Sequence, residues 1–143
     1  MWLSTKGRYG LKAMLDLALH NGEGPVALKS IAERQNLPEN YLEQLFATLK
    51  KAGHITSVRG AQGGYLLSKD PDSITIGSIL RSLEGSLAPV DCVVEDSSPK
   101  CDRFDNCVTK IVWEKIRDSV NEAVDSITLG DLVKESNKNS ALS

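Results

Sequence analysis

The stretch ALKSIAERQNLPENYLEQLFATLKKAGHITSVRGAQGGYLLS, residues 27–68, decides the fold. Leu28, Ile31 and Ala32 place an apolar stripe on a short helix from Ala27 to about Gln35, and Leu42, Leu45, Phe46 and Leu49 do the same from Glu39 to Ala52. Between them Asn36-Leu37-Pro38 must turn, because proline disfavours helical geometry in the residue before it. Gly53 stops the second helix. Two short helices joined by a tight turn predict a helix-turn-helix. The outer face of the second carries Asn40, Tyr41, Gln44 and Thr48, and positions 40, 44 and 48 align at a spacing of four. Asn and Gln amides can pair with adenine in the major groove. Plain solvation would explain the same face.

The next residues favour the nucleic-acid reading. Ile55 to Arg59 and Tyr65 to Ser68 read as two strands, joined by Gly60-Ala61-Gln62-Gly63-Gly64. A hairpin with a glycine-rich tip, directly after a helix-turn-helix, is a wing, and Arg59 at its base is the kind of side chain that enters a narrow minor groove. An ordinary hairpin with a surface arginine is the alternative.

Upstream, Leu11, Met14, Leu15, Ala18 and Leu19 recur at helical spacing, predicting a helix from Ser4 or Thr5 to about His20. Downstream, Thr75 to Glu84 forms a short helix with Ile76, Ile79, Leu80 and Leu83 inward and Gly85 at its end. From about Asn106 to Ile127, Val108, Val112, Ile116, Val120, Ala123 and Ile127 step by three or four, a helix of roughly 33 Å. A small core cannot cover that length, so pairing with a second copy is expected, and a two-fold dimer suits palindromic DNA. Thr128 to Glu135 adds a last short helix, and Ser136 to Ser143 reads as a disordered tail. The expected class is mainly α: a winged helix-turn-helix domain over 1–85, a cysteine loop over 86–107, a dimerisation helix with a short carboxyl-terminal helix over 108–135, and a tail over 136–143.

The chain has 143 residues, 25% charged, 41% hydrophobic and 5% aromatic, which fits one compact domain plus an appended helix and excludes a large multi-domain enzyme. No run approaches the roughly 18 apolar residues of a membrane span. The first apolar stretch, Leu11 to Leu19, is broken by Lys12 and Asp16 and cannot act as a secretory core, so a soluble cytoplasmic protein with no membrane partner is expected. Lys and Arg outnumber Asp and Glu by nine to six up to Asp70, while the rest has eight against thirteen; +3 and −5 sum to the net −2. The basic half is the one with the helix-turn-helix. Only two histidines occur, with no nucleophile constellation, so catalysis is not expected.

All three cysteines, Cys92, Cys101 and Cys107, fall in one 16-residue stretch with C-x8-C-x5-C spacing. An odd count in a reducing compartment argues against disulfides. The intervening Asp, Ser, Pro and Lys offer little to bury. Thiolates favour iron–sulfur clusters, while three thiolates and one further ligand would also suit zinc, although the paired C-x2-C spacing usual for zinc is absent.

Ser4-Thr5-Lys6-Gly7-Arg8-Tyr9, Tyr41-Leu42-Glu43-Gln44-Leu45, Val58-Arg59-Gly60 and Gly63-Gly64-Tyr65 together resemble the bacterial winged-helix regulators of the IscR, NsrR and CymR type, over Leu3 to about Val133. The resemblance implies a homodimer on double-stranded operator DNA, with Asn40, Tyr41, Gln44 and Arg59 facing the duplex. Cluster-free CymR-type members lack the cysteine triad, so the chain looks closest to the cluster-binding IscR type, with a 2Fe-2S cluster on Cys92, Cys101 and Cys107. Lys110 stands where that type carries its histidine ligand. Deprotonating an ordinary lysine costs roughly 4 to 5 kcal/mol at neutral pH, so the fourth ligand must lie elsewhere. An acid near the amino terminus serves in NsrR-type members, but Arg8 holds that position. Glu43 is the expected ligand, because a bond on the recognition helix would tie occupancy to the element that reads DNA. Asp91, Glu95, Asp96, Asp102, Asp105, His20, His54 and solvent are the alternatives. The expected function is a repressor that senses iron–sulfur status and controls cluster-biogenesis genes. Nitric-oxide or redox sensing is the alternative, with electron transfer and zinc binding behind it.

Overall fold

The computed structural model describes residues 3–90 and 108–142. The three cysteines, the loop acids from Asp91 to Asp105 and the expected start of the long helix at Asn106 lie outside the described residues. Helices α1 (Thr5–Leu19), α2 (Leu28–Gln35) and α3 (Glu39–Lys51) lead into strands β1 (Ile55–Val58) and β2 (Gly64–Leu67). Helices α4 (Ile76–Glu84), α5 (Lys110–Asp125) and α6 (Leu129–Leu142) follow. The class is mainly α with a two-stranded wing, as the periodicity predicts.

The core gathers Met14 and Leu17 of α1, Ile31 of α2, Leu42, Phe46 and Leu49 of α3, Ile55 of β1, Ile79 of α4 and Leu129 of α6. The buried side of α1 differs from the expected one. Gly7, Gly10, Ala13, Met14, Leu17 and Ala18 are inward, whereas Leu11, Leu15 and Leu19 are only partly covered. The cause is close approach to α4: a Cβ on Gly10 would lie 2.2 Å from Leu83 Cδ1, and one on Gly7 2.9 Å from Glu84 Oε2. Glycines let two helices touch where larger residues would hold them apart.

The expected helix over 106–127 is described from Lys110 to Asp125 only. Its carboxyl end comes early because the chain there docks on the start of α4, with Ile76 N–H donating to Ile127 O at 2.8 Å and Leu129 N–H to Ile74 O at 2.9 Å. Arg81 of α4 clamps α5 with hydrogen bonds to both Asp125 carboxylate oxygens, at 2.8 and 2.9 Å, and to Asn121 Oδ1 at 2.8 Å. Val120 and Val124 therefore pack on the core of their own subunit. Of the two readings of the apolar stripe, packing in its own subunit therefore accounts for at least part of the Val120 side chain.

The tail is also corrected, since α6 continues to Leu142 instead of ending at Glu135. Its start is well made: Thr128 N–H donates to Asp131 Oδ2 at 3.0 Å, and Asp131 N–H returns to Thr128 Oγ1 at 3.1 Å. A helix so nucleated extends at little cost through Ser, Asn and Lys, because no proline or glycine follows Gly130 to interrupt it.

Candidate nucleic-acid interface

Helix α2 ends on Asn36, the one non-glycine residue with positive φ among the described residues, at 55°. Asparagine tolerates this left-handed geometry, and Leu37 N–H then closes the turn on Ala32 O at 2.9 Å. The turn delivers α3 with Leu42, Leu45, Phe46 and Leu49 buried. At about 100° per residue, Asn40, Ala47 and Lys51 stand opposite that buried side. Gln44 and Thr48 form one flank and Glu43 and Lys50 the other, all exposed.

The two flanks meet different neighbours. On the Glu43 side, Lys50 Nζ donates to Ser57 Oγ of β1 at 2.6 Å, so this flank faces the wing. On the Gln44 side lies the first turn of α1, where Tyr41 OH and Thr5 Oγ1 share a hydrogen bond of 3.0 Å and the Tyr41 ring meets Tyr9 edge-on with centroids 5.9 Å apart. Tyr41 is thus half-buried and its hydroxyl already engaged, unlike Asn40 and Gln44, which are exposed.

The wing is fixed to the helices at several points. Ile55 pairs with Leu67, Thr56 with Leu66, Ser57 with Tyr65 and Val58 with Gly64. Tyr65 also exchanges two main-chain hydrogen bonds with Val26, at 3.0 and 2.8 Å, and its ring meets Phe46 edge-on at 4.9 Å. Gly64 permits this, since a Cβ there would fall 2.3 Å from Val26 O. Gly63 has the same constraint at 2.0 Å from Val58 O. Arg59 follows β1 at the start of the glycine turn and is exposed.

Two features of the head were not visible in the sequence. Asp16, only 2% exposed, is the one buried charged residue among those described. It accepts from Arg34 Nε at 3.0 Å, Arg34 Nη2 at 2.7 Å and Gln35 Nε2 at 3.0 Å, which pins the end of α2 to α1. Burial pushes the Asp16 carboxyl up, but hydrogen bonds from Arg34 and Gln35 with the charges of Arg34 and His20 outweigh it and hold it below the usual carboxylate range. His20 Nδ1 caps the Asp16 main-chain oxygen at 2.8 Å. The second feature is His54, whose Nε2 shares a 2.8 Å hydrogen bond with Ser82 of α4. Burial lowers its pKa, a backbone hydrogen bond at Ser78 opposes this and the Lys69 charge adds to the lowering. Both imidazoles are engaged in the fold.

A helix-turn-helix with an exposed polar reading face, a wing pinned beside it and an α5 that, with Val108 just before it, exposes Val108, Ile111 and Val112 at 79, 61 and 51% define a class. This is a winged-helix DNA-binding protein that acts as a homodimer, and no described helix is long and apolar enough to cross a membrane. Residues 3–135 match the Rrf2 family, described as iron-dependent transcriptional regulators. The chain belongs to that family, whose members regulate transcription and are not enzymes. It is 52% identical to the HTH-type transcriptional regulator CymR of Bacillus subtilis over 92% of its own length and 89% of the relative's. It is 42% identical to IscR of Sodalis glossinidius over 93% and 79%. The structure of B. subtilis CymR, the global cysteine regulator, superposes with a TM-score of 0.78 at 50% identity, covering 93% of this chain and 96% of that one. IscR of T. potens gives 0.77 at 55% identity, covering 94% and 87%. Both types match at similar identity, so these likenesses show the family without favouring the expected IscR type over the CymR type.

Proposed function

We propose that the chain is a repressor that reads iron–sulfur status and controls cluster-biogenesis genes, with a 2Fe-2S cluster on Cys92, Cys101, Cys107 and Glu43 as its sensor. The observation that carries this reading is the cysteine triad in a member of a family described as iron-dependent. Among the described residues no group of three or more His, Cys, Asp or Glu side chains could hold a metal ion. Three soft thiolates fit an iron–sulfur group. Such a group, when bound, supplies a centre whose presence depends on iron, sulfide and oxidants.

The rest of the mechanism belongs to the chain. Asn40 and Gln44 present amides to base edges, and Arg59 reaches the minor groove from the wing. Tyr41, with its hydroxyl on Thr5, orients α3 against α1. Glu43 lies on the wing-side flank of α3, where a ligand bond would pull directly on the reading helix.

Anaerobic purification followed by an absorption spectrum and iron and sulfide assays tests the reading. A coloured protein with matched iron and sulfide, lost in Cys101→Ala and altered in Glu43→Ala, is the expected result. An unchanged spectrum and cluster lifetime in Glu43→Ala would remove that residue from the ligand set, and a zinc protein would sink the cluster. The likeness to CymR favours a second reading, cluster-free regulation of cysteine metabolism, which a colourless and metal-free protein would select.

A further inference from the structure

Lys6 occupies an unusual place for a surface lysine. It lies in the first turn of α1, one residue after Thr5, and with Tyr41, Gln44, Leu45, Thr48 and Leu83 it lines a cleft of about 220 Å3 beside the Gln44 flank of α3. The turn that carries it is held at both ends. Ser4 caps α1 by accepting from Lys6 N–H at 3.1 Å, and Ser4 Oγ donates to Glu84 Oε1 at 2.6 Å, while the Ser4 N–H donates to the other Glu84 oxygen. Thr5 is joined to Tyr41 on the reading helix. Arg34 and Arg81 are spent on carboxylates and Lys50 on Ser57, but Lys6 is exposed and makes no ion pair among the described residues.

A helix lying in the major groove is bordered by the phosphates of the groove walls. An exposed ammonium on a backbone anchored at one edge of the reading face, on the flank away from the wing, is suited to meet one of those walls. We infer that Lys6 is a DNA-binding residue whose ligand is a backbone phosphate, and that the Thr5–Tyr41 bond sets its position relative to Gln44. The inference rests on α3 entering the major groove. Lys6 then fixes the register of α3 and reads no base, since a phosphate contact carries no sequence information.

The test compares full-length wild type, Lys6→Ala, Lys6→Arg and Tyr41→Phe on two short duplexes, an operator selected by the protein from a random pool and a scrambled version, across a potassium chloride series. Each phosphate neutralised contributes about 0.9 to the slope of log affinity against log salt, so Lys6→Ala should lower the slope by about 1.8 for a dimer on two half-sites. It should weaken both duplexes by the same factor, and Lys6→Arg should restore the slope. Tyr41→Phe keeps the ring and removes the bond to Thr5, so it should reproduce part of the loss and add little when combined with Lys6→Ala. Circular dichroism checks that each variant folds. An unchanged slope in folded Lys6→Ala overturns the inference, and a loss confined to one base pair makes Lys6 a base reader instead. Failure of the wild type to bind any duplex would overturn the major-groove reading as well, which distinguishes the two failures.

Discussion

The reading head and helix α5 are built on opposite principles. The head, from Thr5 to Glu84, satisfies itself: α3 buries four large side chains, the wing is bonded to both α3 and Val26, and Asp16 ties α2 down. Helix α5 buries none of its residues fully and is held to its own subunit by Val120, Val124 and the Arg81 clamp, all toward its carboxyl half. Its amino-terminal half exposes Ile111 and Val112 beside Val108. A chain can therefore carry a complete recognition surface on a rigid base while leaving its oligomeric surface to be completed by a copy of itself.

The sharpest way to break that contrast is to place a charge on each half of α5. Ile111→Asp should leave the subunit folded but raise the dimer dissociation constant by about 100-fold, since an unpaired carboxylate would have to be desolvated in the interface. Val120→Asp should also destabilise the subunit, by about 3 kcal/mol, because that side chain packs on the core. Sedimentation velocity and urea unfolding together read both effects, and equal unfolding midpoints for the two variants would erase the proposed division of α5.

Within the head, Asp16→Asn should cost about 2 kcal/mol at pH 7, less than a fully buried pair because Arg34 keeps access to water. The folded carboxyl sits below its ordinary value, so its contribution is complete above the unfolded pKa of about 3.9 and is lost as the pH falls through the lower folded value. The gap between wild type and variant should therefore close in acid. A constant gap between pH 7 and 3 would mean that packing, not charge, supplies the stability.

Smaller effects should appear on the DNA side. Gln44→Ala is expected to lose about 1 to 3 kcal/mol at a single base pair, the size of one amide-to-adenine contact, and a uniform loss in a substitution scan of the operator would reassign Gln44 to phosphate. Arg59→Ala should reduce discrimination at an A/T-rich step by roughly 1 kcal/mol while leaving the fold intact. Unchanged preference there would remove the wing from the minor groove.

Most of the head was legible because its signals are local. Pro38, the apolar spacing of Leu42, Leu45, Phe46 and Leu49, and the glycines of the wing each act on their immediate neighbours. What escaped depends on residues distant in the chain. Gly7 and Gly10 look like weak helix residues until Leu83 and Glu84 of α4 are placed against them, and Asp16 looks like a solvent-facing break in an apolar run until Arg34 arrives. Val120 has the same spacing as the exposed apolar residues of α5, and periodicity cannot say which of two cores a residue joins. Tyr41 shares its flank with Gln44, but only the nearness of Thr5 and Tyr9 turns it inward.

The exposed half of α5 also links molecular shape to gene dosage. A surface completed only by a twin is covered in proportion to how often two copies meet, so while monomers prevail, occupancy of a palindromic operator grows with the square of protein abundance. A regulator present in few copies then gains a threshold from mass action alone, and its melting temperature rises with its own concentration.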